Sequence, residues 1–413
     1  MVAVVLAVPA VATADPANPT TDPVINPNGS VTFNLDAPSA SSVAVSGDWG
    51  PLYQPATATM TKDAGGVWSV TVGPLTPNLY TYDFVLDGVT VTDPMNADTW
   101  TSQPVPAGSP FPQGPSLSIF VVPGPQADFL SDNAVPHGQV RTVYYHSAVT
   151  GTQRRMQVYT PPGYGRDHQE YPTLYLLHGG GGNDTDWVKQ GAANFILDNL
   201  LAQRRIVPMV VVMPDANIGV PTGDPASDQM PRELSSSVIP AVQRDFRVLP
   251  GSDNRALAGL SLGGLQVFDQ VLLHPGVFAY YGDFSSGYFP NQLSDLEQSD
   301  AAQLANPAIN RDTRLLWITV GGPGDIAYPN NGPTRALLDT YEIHYTFEQG
   351  IGDHVWDTWR HNLVSFAPLL FRRASWARRA RHSRTARAHH ARTRHAQRPR
   401  TRTSQRSGSA SGP

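Results

Sequence analysis

The chain has 413 residues, 40% of them hydrophobic and 15% charged, which is enough for two packed cores. The absence of cysteine excludes disulfides, thiolate metal sites and a thiol nucleophile, and argues against redox chemistry. The formal charge of −5 hides a split: 13 of the 29 Lys and Arg lie in residues 372–413, which hold no acid, so residues 1–371 carry −18, a balance that disfavours phosphate and nucleic-acid partners.

Residues 1–14 are apolar and end in Ala12-Thr13-Ala14, a small-x-small cleavage pattern, although no Lys or Arg precedes the apolar run. They read as an export signal short of its positively charged start, so the mature protein is expected to be secreted. No later run approaches eighteen apolar residues, so no membrane span is expected.

Residues 15–125 carry short alternating runs bounded by Gly, Pro, Asn and Asp. Examples are 30–35, 67–72 and 80–86, with Asp87-Gly88 as a hairpin turn and a last strand over 116–122. This spacing predicts an all-β sandwich of the immunoglobulin-like kind, about a hundred residues long. Pro123-Gly124-Pro125 marks its end. Over residues 126–371 the texture changes to apolar strands at 173–177, 209–213, 256–260, 315–320 and 345–347, separated by helical patterns at 193–204, 233–246 and 334–341. That alternation predicts a doubly wound α/β domain with a parallel sheet. Residues 372–413, rich in Arg and nearly free of large apolar side chains, read as a disordered tail.

Within the α/β region, residues 255–264 (Arg-Ala-Leu-Ala-Gly-Leu-Ser-Leu-Gly-Gly) run an apolar strand into a Gly-x-Ser-x-Gly turn that opens a helix. Such a turn exposes one serine hydroxyl, here Ser261, which needs a histidine to take its proton and an acid to hold that histidine. In a sheet-top hydrolase of this kind the order is serine, acid, histidine, with the last two on loops after later strands. His354 follows the 345–347 strand, whereas His361 falls inside the final helical pattern, where a surface role fits better. Asp325 follows the 315–320 strand; Asp312 precedes it, Asp283 lies on the strand after the elbow helix, and Asp353 is too near His354 in sequence. The other reading of Asp325, after Gly321-Gly322-Pro323-Gly324, is a turn-shaping residue. His178-Gly179-Gly180-Gly181-Gly182 after the 173–177 strand suits an oxyanion loop, with the N–H groups of Gly180 and Leu262 as donors and His178 supporting the loop. The loop lacks a Gly-Lys-Ser/Thr ending, there is no His-Glu-x-x-His, and neither metal nor cofactor is expected. Trp187 and Trp356 flank these loops and are expected to line a substrate cleft. Trp49, Trp68 and Trp100 offer rings that could stack on sugar or serve packing, so polysaccharide contact through the N-terminal region is one reading.

These motifs carry a resemblance. Residues 153–164 (Gln-Arg-Arg-Met-Gln-Val-Tyr-Thr-Pro-Pro-Gly-Tyr), 171–180, Asp186-Trp187, 258–264 and Gly352-Asp353-His354-Val355-Trp356 resemble the esterase family that includes feruloyl and acetyl-xylan esterases and enterochelin-esterase-like proteins. Residues 43–49 and 87–96 are similar to the early-set sandwich modules that precede many such esterases. The resemblance implies an α/β-hydrolase domain with a Ser261, Asp325, His354 triad, acting on an ester of a carbohydrate or of a small aromatic acid. Leu262 stands where the family often has Met, and the acid loop is richer in Gly and Pro than usual. The expected function is a secreted serine carboxylesterase of plant-polysaccharide esters, feruloyl or acetyl. The alternatives are a siderophore esterase, an acyltransferase of the same fold, and a non-catalytic polysaccharide-binding protein.

Overall fold

The structure is a computed structural model that describes residues 23–104, 113–166, 169–219 and 225–372. The export-signal expectation, and all of the basic tail except Arg372, lie outside those residues.

The N-terminal part consists of two antiparallel sheets. One joins Val24–Ile25, Val31–Asp36, Val67–Val72 and Thr61–Lys62; the other runs Ala56–Thr59, Val43–Gly47, Asn78–Leu86, Leu117–Val122 and Thr99–Trp100, with Val89–Val91 on the long strand's far end. Alternation explains the packing: Val31, Phe33 and Leu35 of the first sheet, and Val43, Val45, Tyr82, Phe84 and Phe120 of the second, form one buried core. Phe33 and Tyr82 meet across it at 4.8 Å between ring centroids. Trp68 is buried in this core, its Nε1 donating to the Ala37 carbonyl at 3.0 Å, and Trp49 packs on Phe33 at 5.3 Å. Packing thus accounts for Trp68 and Trp49 without a sugar.

The α/β part holds eight strands: β1 Gln139–His146, β2 Gln153–Thr160, β3 Thr173–Leu177, β4 Val210–Pro214, β5 Arg255–Leu260, β6 Tyr280–Phe284, β7 Leu315–Val320 and β8 Thr346–Gln349. Their spatial order is β1-β2-β4-β3-β5-β6-β7-β8. From β4 to β8 the neighbours are parallel, as expected, but β1 pairs antiparallel with β2 and β2 antiparallel with β4. The sheet is therefore mixed, and neither β1 nor β2 had a counterpart among the strands predicted from apolar runs. Side chains of successive residues point to opposite faces. Tyr175, Leu177, Leu257, Tyr281 and Ile318 join one core with the elbow helix Leu262–Leu273. The other face takes the last helix, Trp356–Phe366, whose Phe366 ring lies 5.6 Å from Phe284 and 5.7 Å from Trp317.

Two helices differ from expectation. The 233–246 pattern is helical from Met230 to Asp245 with a π-turn at Leu234–Val238. Pro240 has no N–H to return to the preceding turn, and the widened turn absorbs the loss. The 334–341 helix runs over Tyr328–Thr340, starting before Pro333.

Candidate active site

β5 ends at Leu260, and Ser261 takes φ 52° and ψ −116°, a conformation that costs on the order of 1–3 kcal/mol in a non-glycine residue. Two glycines permit the sharp turn. A Cβ on Gly259 would sit 2.4 Å from Gly263 backbone, and one on Gly263 would sit 2.6 Å from the His178 carbonyl oxygen. The Ser261 hydroxyl donates to His354 Nε2 at 2.9 Å, and His354 Nδ1–H donates to Asp325 Oδ1 at 2.8 Å. Asp325 also accepts the N–H groups of Gly321 and Ala327, both at 2.9 Å. Burial tends to raise the Asp325 carboxyl, but the His354 hydrogen bond and the Ala327 N–H outweigh it, so the group is held below its ordinary range and stays ionised.

The acid loop and histidine loop are tied together by the Gly322 N–H, which donates to the Gly352 carbonyl at 2.6 Å. Thr358, on the last helix, donates to the Asp353 carbonyl at 2.7 Å, and the Trp359 ring stands edge-on to the His354 ring at 5.0 Å. The rejected acids lie elsewhere. Asp283 on β6 is fully buried, its carboxyl pushed well up by burial and the Asp325 charge; Asp312 pairs with Arg311 on the surface. His361 sits on the last helix with Nδ1–H donating to the Asp357 carbonyl at 2.8 Å.

Across from Ser261, the glycine loop after β3 is braced by His178: Nδ1–H donates to the Gly179 carbonyl at 2.7 Å and Nε2 accepts the Ala216 N–H at 2.8 Å. Among the described residues the N–H groups of Gly180 and Leu262 have no hydrogen-bond acceptor. Gly180 borders the cleft of about 220 Å³ that holds Ser261 and His354, together with Gly179, Gly182, Trp356 and Trp359, whereas Leu262, the residue after Ser261, is not part of its lining.

Trp187 does not reach the cleft wall. It is 1% exposed, donates from Nε1 to the Leu177 carbonyl at 2.9 Å and meets Trp356 edge-on at 5.3 Å, because its own short helix turns the ring inward. Trp356 lines the cleft and rests on Trp187. Four cleft residues escaped the sequence reading: Asp186, Gln190, Trp359 and, in this role, Trp100. Trp359 had a signal, lying at i+3 from Trp356 on one helix face. Trp100 had none, since the N-terminal β part brings it to Asp186, where its Nε1 donates to Oδ1 at 2.7 Å across 86 positions of chain. Burial, ahead of the pull of His178 and these hydrogen bonds, raises the Asp186 carboxyl to about 6.

The Esterase family model matches residues 147–370, more than half of the chain. The chain belongs to the esterase family. The chain is 33% identical over 289 residues to an endo-1,4-beta-xylanase/feruloyl esterase of Xylanibacter ruminicola, covering 66% of this chain and 37% of that protein. It is 24% identical over 249 residues to endo-1,4-beta-xylanase Y of Acetivibrio thermocellus, covering 55% and 22%. It thus spans little more than a third of the length of the first of these curated relatives and less than a quarter of the second. Among solved structures, the feruloyl esterase module from Clostridium thermocellum superposes with a TM-score of 0.52 at 21% identity, over 66% of this chain and 98% of that one. The enterobactin esterase from Shigella flexneri gives 0.57 at 18% identity, over 83% and 92%. Both likenesses are of fold. Among the described residues, no helix is long and apolar enough to cross a membrane, and no group of three His, Asp or Glu is placed to hold a metal ion.

Proposed function

We propose that this esterase is a secreted serine carboxylesterase that hydrolyses carbohydrate-linked esters, feruloyl or acetyl, through an acyl-enzyme. The observation that carries the reading is the unbroken hydrogen-bond chain from Ser261 through His354 to Asp325, in a cleft that Gly180 also lines. In this mechanism Ser261 Oγ attacks the ester carbonyl as His354 Nε2 takes its proton. Asp325 holds the proton on Nδ1 and stabilises the imidazolium. The Gly180 and Leu262 N–H groups receive the developing oxyanion, and His354 returns the proton to the leaving alcohol. Water then repeats the sequence on the acyl-enzyme. The Xylanibacter relative, an endo-1,4-beta-xylanase/feruloyl esterase at 33% identity, favours a polysaccharide-linked ester over the siderophore ester suggested by the enterobactin esterase likeness, which is one of fold.

Ser261→Ala is expected to lower kcat on 4-nitrophenyl acetate by a factor on the order of 10⁶ with an unchanged circular dichroism spectrum. Activity surviving within tenfold would overturn the assignment. Asp325→Asn should cost about 10⁴-fold, because an amide in place of the carboxylate leaves the imidazole in the wrong tautomer. Methyl ferulate, an acetylated xylo-oligosaccharide and enterobactin, assayed side by side, decide among the substrate classes.

A further inference from the structure

A second cavity, of about 470 Å³, lies at the seam between the N-terminal β part and the esterase sheet, lined by Thr99, Thr101, Gln103, Arg155, Thr185 and Lys189. Its relation to the catalytic cleft follows from periodicity. In the strand and its extension, Trp100 lines the cleft while Thr99 and Thr101 line the cavity, the alternation of an extended chain. On the short helix, Asp186 and Gln190 line the cleft while Thr185 and Lys189 line the cavity, two i, i+4 pairs on different faces. The Trp100–Asp186 hydrogen bond is thus a party wall with the catalytic serine on one side and this cavity on the other.

Among the described residues the lining includes no aromatic, Leu, Ile, Val or Met side chain. It offers three threonine hydroxyls, a carboxamide and two cations. Arg155 is held bidentate by Asp184, with Nη2 at 2.6 Å, and Lys189 by Asp98 at 2.8 Å, so the site's charges cancel. An anion meets no net attraction there, whereas a polyhydroxylated ring meets hydroxyl and carboxamide donors and acceptors together with the apolar stems and methyl groups of the same side chains. The catalytic cleft, about 220 Å³, falls below the ~300–1,000 Å³ usual for a small-molecule site, and the seam cavity lies within that range.

We propose that the seam cavity binds a neutral glycosyl residue of the alcohol portion of the ester, so that the N-terminal β part completes the substrate site. This rests on the esterase reading for its substrate class, and the experiment reads binding apart from turnover. The full chain carrying Ser261→Ala is titrated calorimetrically with a feruloylated arabinoxylo-oligosaccharide and with methyl ferulate. The oligosaccharide is expected to bind at least tenfold more tightly, and Gln103→Ala combined with Lys189→Met to remove that preference while leaving the affinity for methyl ferulate within twofold. Gln103→Ala by itself, on a half-exposed loop residue, gives a partial loss in the same direction and guards against misfolding of the double variant. Equal affinity for the two probes, no binding of either, or a preference that survives both variants would overturn the proposal. Turnover of 4-nitrophenyl acetate by the chain with Ser261 intact reports separately on the esterase reading.

Discussion

Asp186 shows how one side chain can set a pH dependence of the whole fold. The residue is 4% exposed, and its carboxyl accepts Trp100 Nε1–H and the Asn183 N–H and is raised from the ordinary 3.8 to about 6, chiefly by burial. A native pKa above the unfolded one means the folded state holds the proton more tightly. The group's contribution is therefore most favourable below about 3.8, declines as pH rises to 6, and is lost above that. The difference is on the order of 3 kcal/mol. Asp186→Asn cannot titrate and keeps an oxygen for both donors, so its stability relative to the natural protein should rise by about that amount between pH 4 and pH 7. Urea unfolding of both proteins at the two pH values measures it; parallel pH profiles would refute the account.

At the scale of elements, the elbow is a collision avoided. β5, the glycine loop and the elbow helix meet within van der Waals contact because Gly259 and Gly263 lack Cβ atoms, and this closeness fixes the turn that carries Ser261 into the helix at Leu262. Gly263→Ala would place a carbon 2.6 Å from the His178 carbonyl oxygen and 2.8 Å from Leu177 Cβ, both on or next to the buried strand β3. Relief requires moving the helix, so a loss of about 1–3 kcal/mol of stability is expected. Displacement of the donor should lower kcat by about 10²-fold with KM little changed, which steady-state kinetics on 4-nitrophenyl acetate can check. The π-turn at Leu234–Val238 and the early start of the helix at Tyr328 were invisible to periodicity, because a proline weakens a helical pattern locally while buried neighbours such as Val238 and Leu337 hold the helix together.

Across the whole molecule, the described residues up to Leu370 form one compact unit, and Arg360 shows what joins the β part to the esterase part. It is 1% exposed on the last helix and donates to the Gln190 carbonyl at 2.8 Å, Asn78 Oδ1 at 3.0 Å and the Leu79 carbonyl at 3.1 Å. Asn78 in turn donates to Asp357 at 2.8 Å. Arg360→Met would remove three buried hydrogen bonds, with Asn78 Oδ1 keeping another donor in the Leu79 N–H, a loss expected to reach about 3 kcal/mol by urea unfolding. A change below about 0.5 kcal/mol would show that the seam does not depend on this side chain. Strand alternation, chain order and the glycine-flanked serine were enough in the sequence to call the α/β sheet and to single out Ser261, Asp325 and His354, because those signals are local or follow from the order in which strands reach the rim. Tertiary structure alone decided that β1 and β2 run antiparallel, that Trp187 faces inward, and that Trp100 and Asp186 share a wall of the cleft. Those outcomes depend on which distant surfaces pack together, and periodicity carries no information about a partner 86 residues away.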